Sequence, residues 1–217
     1  MTAVAVEQPL DLAALRAATL NDDPWPHAVL TATFTDEATT AALTQSFPST
    51  GFTPARQDTA DKHFVNEVRN DVSSPDLAPP WRALIQQVTT DGYRTALEQL
   101  TGIDLSAGIV RAAFWRYGPE CWLSPHPDDA SKFLSHVMYF NADWPADGGG
   151  HLLINRSNDM TDIHVQVTPV AGSSVVIVRS DTSWHAVQPV AATNPRTRHS
   201  LTVVFHMPGS DLSYYGY

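Results

Sequence analysis

SPHPDDASKFLSHVMYF (124–140) decides how the rest of the chain is read. Its first half carries a His-Pro-Asp triplet at 126–128, and its second half is rich in the aromatic and β-branched residues that favour strands. Around it, beyond Asp104, the apolar spacing shortens towards two and β-rich segments recur with turn residues between them. They are AGIVRAAFWRY (107–117), CWLSPH (121–126), SKFLSHVMYF (131–140), HLLINR (151–156), IHVQVTP (163–169), SSVVIVRS (173–180), WHAVQPV (184–190) and TRHSLTVVFH (197–206). Eight short strands of this kind fit a mainly β fold, a double-stranded β-helix or cupin-like jelly roll. The glycines at 148–150 precede a strand and read as a hairpin turn, because a phosphate cradle would need a helix after them.

The residues before 106 read differently. DLAALRAATL (11–20) offers an Asp N-cap and helical spacing, and HAVLTATF (27–34) reads as a strand. TDEATTAALTQSF (35–47) is a helix capped by Thr35 or Asp36. STGFTPARQDTADK (49–62) reads as loop, and PPWRALIQQVTTDGYRTALEQLTG (79–102) as one or two helices with prolines at the start and Gly102 as C-cap. The expected organisation is a mostly helical support over 1–105 packed on a jelly-roll core over 106–217, forming one integrated domain.

Composition narrows the function. The 217 residues carry 43% hydrophobic side chains, enough for a sizeable core, and 13 basic against 23 acidic residues give a formal charge of −10. That field repels phosphate backbones, so nucleic acid and anionic membrane are not expected partners. No apolar run approaches the roughly 18 residues of a membrane span. Cys121 is the sole cysteine, which suits a reducing compartment, and MTAVAVEQPL lacks the pattern of a signal peptide; a cytoplasmic location is the expectation.

A His-x-Asp triplet alone is common by chance. Two residues further along the chain lift this one above chance: His185 in SWHAV and Arg198 opening RHSLTVVF, each in a strand-like segment. Residues two apart in a strand project to one side, so His126 and Asp128 offer nitrogen and oxygen together, and Pro127 holds His126 extended. His185 as third ligand makes a two-histidine, one-carboxylate set with open positions, the pattern of non-haem Fe(II) oxygenases. Arg198 then suits the far carboxylate of a dicarboxylate cosubstrate, which a guanidinium fork grips with two parallel hydrogen bonds, and Ser200 shares its face. The other histidines lack such spacing. His136 falls on the opposite sheet face and reads as structural, and His151, His164, His199 and His206 read as surface or packing residues.

At these residues the chain resembles the Fe(II)/2-oxoglutarate-dependent oxygenases, and among them the prolyl 4-hydroxylase-like branch. The resemblance covers roughly 110–207 and rests on YGPECWLSPHPDD (117–129), YFNADW (139–144) followed by GGG (148–150), SWHAVQPV (183–190) and TRHSLTVVF (197–205). It implies Fe(2+) held by His126, Asp128 and His185, and 2-oxoglutarate as cosubstrate held by Arg198. It also implies a share of the far carboxylate for Tyr139, a place beside the cosubstrate for Tyr117, and ascorbate as a reductant. Asp128 argues against halogenation, since halogenating relatives carry a small residue there. Val204 stands where some protein-directed prolyl hydroxylases carry a bulky aromatic. The implied activity is hydroxylation of an unactivated C–H with release of succinate and CO2. The compact chain favours a small-molecule substrate such as a free or carrier-tethered amino acid. A peptidyl or prolyl hydroxylase is the alternative, and a cupin-like metal-binding protein without O2 activation is the alternative of another class. By strand parity Trp115, Ala113 and Arg111 share the face of Tyr117. Oligomeric state is left open.

Overall fold

A computed structural model describes residues 8–59 and 62–212. The first seven residues and the aromatic tail from 213 onward, including most of DLSYYGY, lie outside the described residues. The element order is α1 (Leu12–Ala17), β1 (His27–Leu30), α2 (Glu37–Gln45), β2 (Thr53–Asp58), β3 (His63–Arg69), α3 (Pro79–Gln87), α4 (Asp91–Thr101), β4 (Ile109–Tyr117), β5 (Trp122–His126), β6 (Lys132–Tyr139), β7 (Leu152–Asn155), β8 (Ile163–Val167), β9 (Ser174–Val178), β10 (His185–Val187) and β11 (Arg198–His206).

Local chemistry accounts for the helix ends. The Asp11 carboxylate accepts from the amides of Ala13 and Ala14, and Asp36 accepts from Thr39, so two first turns have their orphan donors met by a side chain. Pro79 and Pro80 open α3, where a missing N–H costs nothing. Thr90 caps α4 and Gly102 ends it in the left-handed region (φ 72°), which only glycine adopts cheaply.

The strands form a mainly antiparallel, nearly closed jelly-roll-like sheet of eleven, in the order β1-β9-β6-β11-β4-β3-β5-β10-β7-β8, with β2 on the outer edge of β3. All eight segments expected as strands beyond residue 106 are strands. The stretch expected as loop is different: 53–58 and 63–69 form a hairpin, and β3 bridges the two halves by pairing with β4 through Glu67 to Arg69 and with β5 through Phe64 and Val65. HFVNEVR alternates, but the charged, proline-bearing TPARQD strand before it sits exposed on an edge, where sequence pattern is weakest. The strand at 27 stops at Leu30, earlier than expected.

The glycines at 148–150 are not a hairpin turn. β6 and β7 do not pair, and this stretch carries the chain between strands that lie far apart in the sheet order. A side chain at Gly149 (φ 63°) would meet the Pro189 carbonyl oxygen at 2.1 Å, so close backbone approach fixes glycine there.

Two apolar clusters result. The first lies between the helices and the outer face of β4, β6, β9 and β11, with Leu43, Trp81, Leu84, Tyr93 and Leu97 against Phe114, Leu134, Met138, Leu201, Val203 and Phe205. The second lies inside the jelly roll, where Tyr117, Val137, Tyr139, Leu152, Ile177 and Val187 point inward. Strand alternation sorts the two sets: along β11 the odd numbers face the helices and the even numbers face inward.

Candidate metal centre

The inward face of β11 presents Arg198, Ser200, Thr202, Val204 and His206 in succession, all lining one cavity. Trp115 and Ala113 join Tyr117 on that wall as parity requires, while Arg111 is not among the lining residues.

His126 and His185 meet because β5 and β10 are antiparallel neighbours and these two are register partners. Their ring centroids are 4.5 Å apart. Between them and the next pair, Val187 with Leu123, three steps on β5 oppose two on β10. This bulge turns both Leu123 and His126 into the cavity, although strict alternation would separate them, and Pro125 inside it has no amide to leave unpaired.

Each ring is held the same way. Nδ1 of His126 lies 2.8 Å from the Ser124 carbonyl oxygen, and Nδ1 of His185 lies 2.9 Å from that of Ser183. A carbonyl only accepts, so Nδ1 carries the hydrogen and Nε2 keeps its lone pair for a ligand. Burial lowers both histidine pKa values below the ordinary range, for His126 strongly, with the charges of Lys62 and His185 adding.

Asp128 follows the end of β5, and one donor atom from each of His126, Asp128 and His185 lies within 4.8 Å of the others. All three residues are buried. Ser135 donates to Oδ2 at 2.6 Å and Lys132 Nζ to Oδ1 at 2.6 Å, which orients the carboxylate and keeps one lone pair of each oxygen available. Burial works against this carboxylate, but the Lys132 ammonium overrules it with the two imidazoles and holds the pKa well below the usual range. Two neutral imidazoles and one ionised carboxylate, prealigned by second partners, fit a divalent transition metal with positions to spare.

Arg198 is 1% exposed. Its Nη1 donates to Ser200 Oγ at 3.1 Å, Nε has no partner, and among the described residues no carboxylate lies in ion-pair range. The guanidinium sits over the rings of Tyr117 and Tyr139, 5.0 and 4.9 Å from their centroids. A buried cation without a counter-ion costs several kcal/mol, of order 3–5 for a broken pair, so the site is built for an anion. Tyr117 lines the cavity, and its hydroxyl accepts from Asn66 Nδ2 at 3.1 Å. Tyr139 is fully buried behind the guanidinium and is not a lining residue. Its hydroxyl meets no well-aligned hydrogen-bond partner, and burial, opposed by the adjacent Arg198 guanidinium, pushes its pKa up to about 12.

His136 lies on the opposite face as expected, between the Tyr93 hydroxyl (2.8 Å) and Ser174 Oγ (2.9 Å). His199 stacks on Phe47 at 4.1 Å, and Arg156 donates to His164. His206 is buried, as a packing residue would be, and also lines the cavity, as do Lys62, Phe64, Asn66, Lys132 and Ser135. The signal that would have found the first group is the alternation Lys62, Phe64, Asn66 through a strand read as loop.

Residues 112–206, the segment that carries the site, match the model of the 2OG-Fe(II) oxygenase superfamily. The likeness of this segment and fold is to the Fe(II)/2-oxoglutarate dioxygenases. The chain is similar to a prolyl-4-hydroxylase from Pseudomonas putida, with 25% identity, TM-score 0.57, and 78% of this chain and 84% of that one covered. Its fold is also that of prolyl 4-hydroxylases from Phytophthora capsici (18% identity, TM-score 0.64, 95% and 69% covered). A prolyl hydroxylase from Trichoplax adhaerens, solved with a hypoxia inducible factor oxygen degradation domain peptide fragment, shares the fold as well (12% identity, TM-score 0.62, 90% and 86% covered). No curated protein sequence matches the chain significantly. Among the described residues no helix is long and apolar enough to cross a membrane.

Proposed function

We propose that the protein hydroxylates an unactivated C–H bond of a small molecule, converting substrate, O2 and 2-oxoglutarate to hydroxylated product, succinate and CO2. The observation that carries this reading is the pairing, in one cavity, of a prealigned His126, Asp128, His185 donor set with an uncompensated buried guanidinium at Arg198. Bound iron would supply the O2 activation and the oxidative decarboxylation of the cosubstrate. The chain's own residues do the rest.

His126, Asp128 and His185 would hold the ion through two imidazole nitrogens and a carboxylate oxygen. Arg198 takes the far carboxylate of 2-oxoglutarate by a forked pair of hydrogen bonds, with Ser200 as an additional donor once its hydroxyl turns to the anion. Tyr117 flanks the cosubstrate, and Tyr139 backs the guanidinium and fixes its plane. Val137, Leu152, Ile177 and Val187 make the walls apolar, which excludes water and strengthens these charge contacts. No acid or base side chain is needed beyond the ligands. A cupin-like protein that binds metal alone gives Arg198 no task.

The likenesses to prolyl hydroxylases favour a peptide as the second reading. The single cysteine suits a reducing compartment, and we place the protein in the cytoplasm. The test is succinate release with Fe(II), 2-oxoglutarate and O2, with and without ascorbate, across panels of small molecules and peptides. The product is expected to gain one oxygen atom by mass spectrometry. Absence of 2-oxoglutarate turnover with every panel member contradicts the proposal.

A further inference from the structure

Among the cavity residues outside the matched segment, Asn66 has the most deliberate placement. It is 4% exposed and stands on β3 where that strand changes partner: Phe64 and Val65 pair with β5, while Glu67 to Arg69 pair with β4. Glu67 is opposite Arg116, so Asn66 falls one step further along, beside Tyr117. On the other side of β4 the register partner of Tyr117 is Arg198. Three neighbouring strands thus carry Asn66, Tyr117 and Arg198 in one row, and strand alternation turns all three side chains into the cavity.

The row has a direction. Asn66 Nδ2 donates to the Tyr117 hydroxyl oxygen at 3.1 Å. A phenol can both donate and accept, so one that accepts from an amide keeps its own hydrogen for another partner. Among the described residues no acceptor takes that hydrogen. Burial pushes the Tyr117 pKa above its ordinary value, against the pull of Arg198 and Asn66, and the hydrogen therefore stays on at neutral pH. The Arg198 guanidinium, 5.0 Å from the ring centroid, repels a hydrogen turned its way and draws an anion within reach of it. Asn66 Oδ1 is buried and takes no bond. An amide turned the other way would spend the phenol hydrogen on Oδ1 and close the row. The direction seen leaves that hydrogen available beside an anion site.

We infer that Asn66 is a positioning residue for the cosubstrate: by donating to Tyr117 it fixes the phenol as a donor, and the phenol hydrogen goes to an oxygen of the 2-oxoglutarate held at Arg198. This rests on the function proposed above and adds to it a residue of the β2–β3 hairpin, which acts through Tyr117 and not on the reacting atoms. A neutral hydrogen bond of this kind shifts an equilibrium by about two- to tenfold. The effect falls on cosubstrate binding, since Asn66 makes no contact with His126, Asp128 or His185 and gives none of them a bond.

The test titrates the full chain, loaded with Fe(II) and kept anaerobic, with 2-oxoglutarate, and follows the visible band of the complex. Four proteins are compared: the wild type, Asn66→Leu, Tyr117→Phe and the double variant. Leucine keeps the branched shape of asparagine and cannot donate. The dissociation constant for 2-oxoglutarate is expected to rise about three- to tenfold in Asn66→Leu, and at least as far in Tyr117→Phe, while Fe(II) affinity stays at the wild-type value. In the double variant the constant should match that of Tyr117→Phe within about twofold, because a residue that acts through Tyr117 then has nothing to act on. An unchanged constant in Asn66→Leu or in Tyr117→Phe overturns the inference. So does a lower constant in Asn66→Leu, which would mean that Tyr117 spends its hydrogen on Asn66. A rise of equal size in Asn66→Leu with and without the Tyr117 hydroxyl overturns it as well, and marks Asn66 as packing alone. Each of these results leaves the oxygenase reading intact. If Asn66→Leu loses Fe(II) affinity, its fold has been damaged, and Asn66→Ala carries the same cycle, with Tyr117→Phe deciding should both fail. A wild-type protein with no band fails the oxygenase reading itself.

Discussion

The two faces of β6 and β11 bury polar groups in opposite ways. On the face towards the helices, His136 has both ring nitrogens engaged, by Tyr93 and Ser174, and is surrounded by Leu134, Met138, Val203 and Phe205. On the cavity face, His126 and His185 spend one nitrogen each on a backbone carbonyl and keep the other unspent, and Arg198 is buried with no acid in ion-pair range among the described residues. On the first face the imidazole is satisfied as folded. The second leaves two imidazole nitrogens and a guanidinium turned to one cavity, a set that a cation at the triad and an anion at the guanidinium would complete. The difference sets His136 apart from His126 and His185.

Substitutions on the two faces should therefore separate activity from stability. The largest effect is expected at the triad. Asp128→Ala lowers substrate turnover at least about a thousandfold, several kcal/mol of lost charge stabilisation, with a melting temperature near that of the metal-free wild type. Succinate assays and calorimetry on the same samples check this. On the helix face, Trp81→Ala, at a fully buried site in the centre of the aromatic cluster with Phe47, Phe114 and Phe140, costs about 3–5 kcal/mol by denaturant unfolding. The two results should not exchange places; a triad variant that unfolds the chain would break the comparison.

Arg198→Gln is next. It raises the 2-oxoglutarate concentration for half-maximal turnover by about thirtyfold or more, equivalent to about 2 kcal/mol, and leaves Fe(II) affinity unchanged. Ser135→Ala sits lower, with Fe(II) affinity reduced about tenfold by loss of the bond that orients Asp128, read by metal titration.

A separate effect is one of pH. Burial holds the His136 pKa down at about 3 in the folded chain, against 6.5 unfolded. The unfolded chain then takes up a proton that the native chain refuses. Stability falls as pH drops from 6.5 towards about 3, by up to about 1.4 kcal/mol per unit from this residue. Above pH 6.5 His136 contributes no slope. In His136→Gln the pH dependence of unfolding should flatten by close to one proton over that window.

The eight strands beyond residue 106 and the grouping of His126, Asp128, His185 and Arg198 are legible in the sequence because strand alternation and chain order report directly on which side chains share a face. The β2–β3 hairpin is not. Its outer strand, TPARQD, is an exposed edge with a proline and three charged or amide side chains, so no apolar stripe marks it, and its partner β3 is tied in by tertiary pairing with both β4 and β5. The loss matters, since Lys62, Phe64 and Asn66 form one wall of the cavity. The bulge at Pro125 is also hidden. Simple parity places His126 and Leu123 on opposite faces, and only the register slip against β10 brings both inward. His206 escapes a sequence reading for a related reason, as its register partner on β6, Lys132, is 74 residues away in sequence.

The most direct measurement is an anaerobic titration of the metal-free protein with Fe(II) and then 2-oxoglutarate, followed in the visible range. A weak charge-transfer band should saturate at one equivalent of each, disappear in His185→Ala, and require a higher 2-oxoglutarate concentration in Arg198→Gln. A wild-type chain that binds iron yet never develops the band, or a band that His185→Ala leaves untouched, would contradict the assignment of the site.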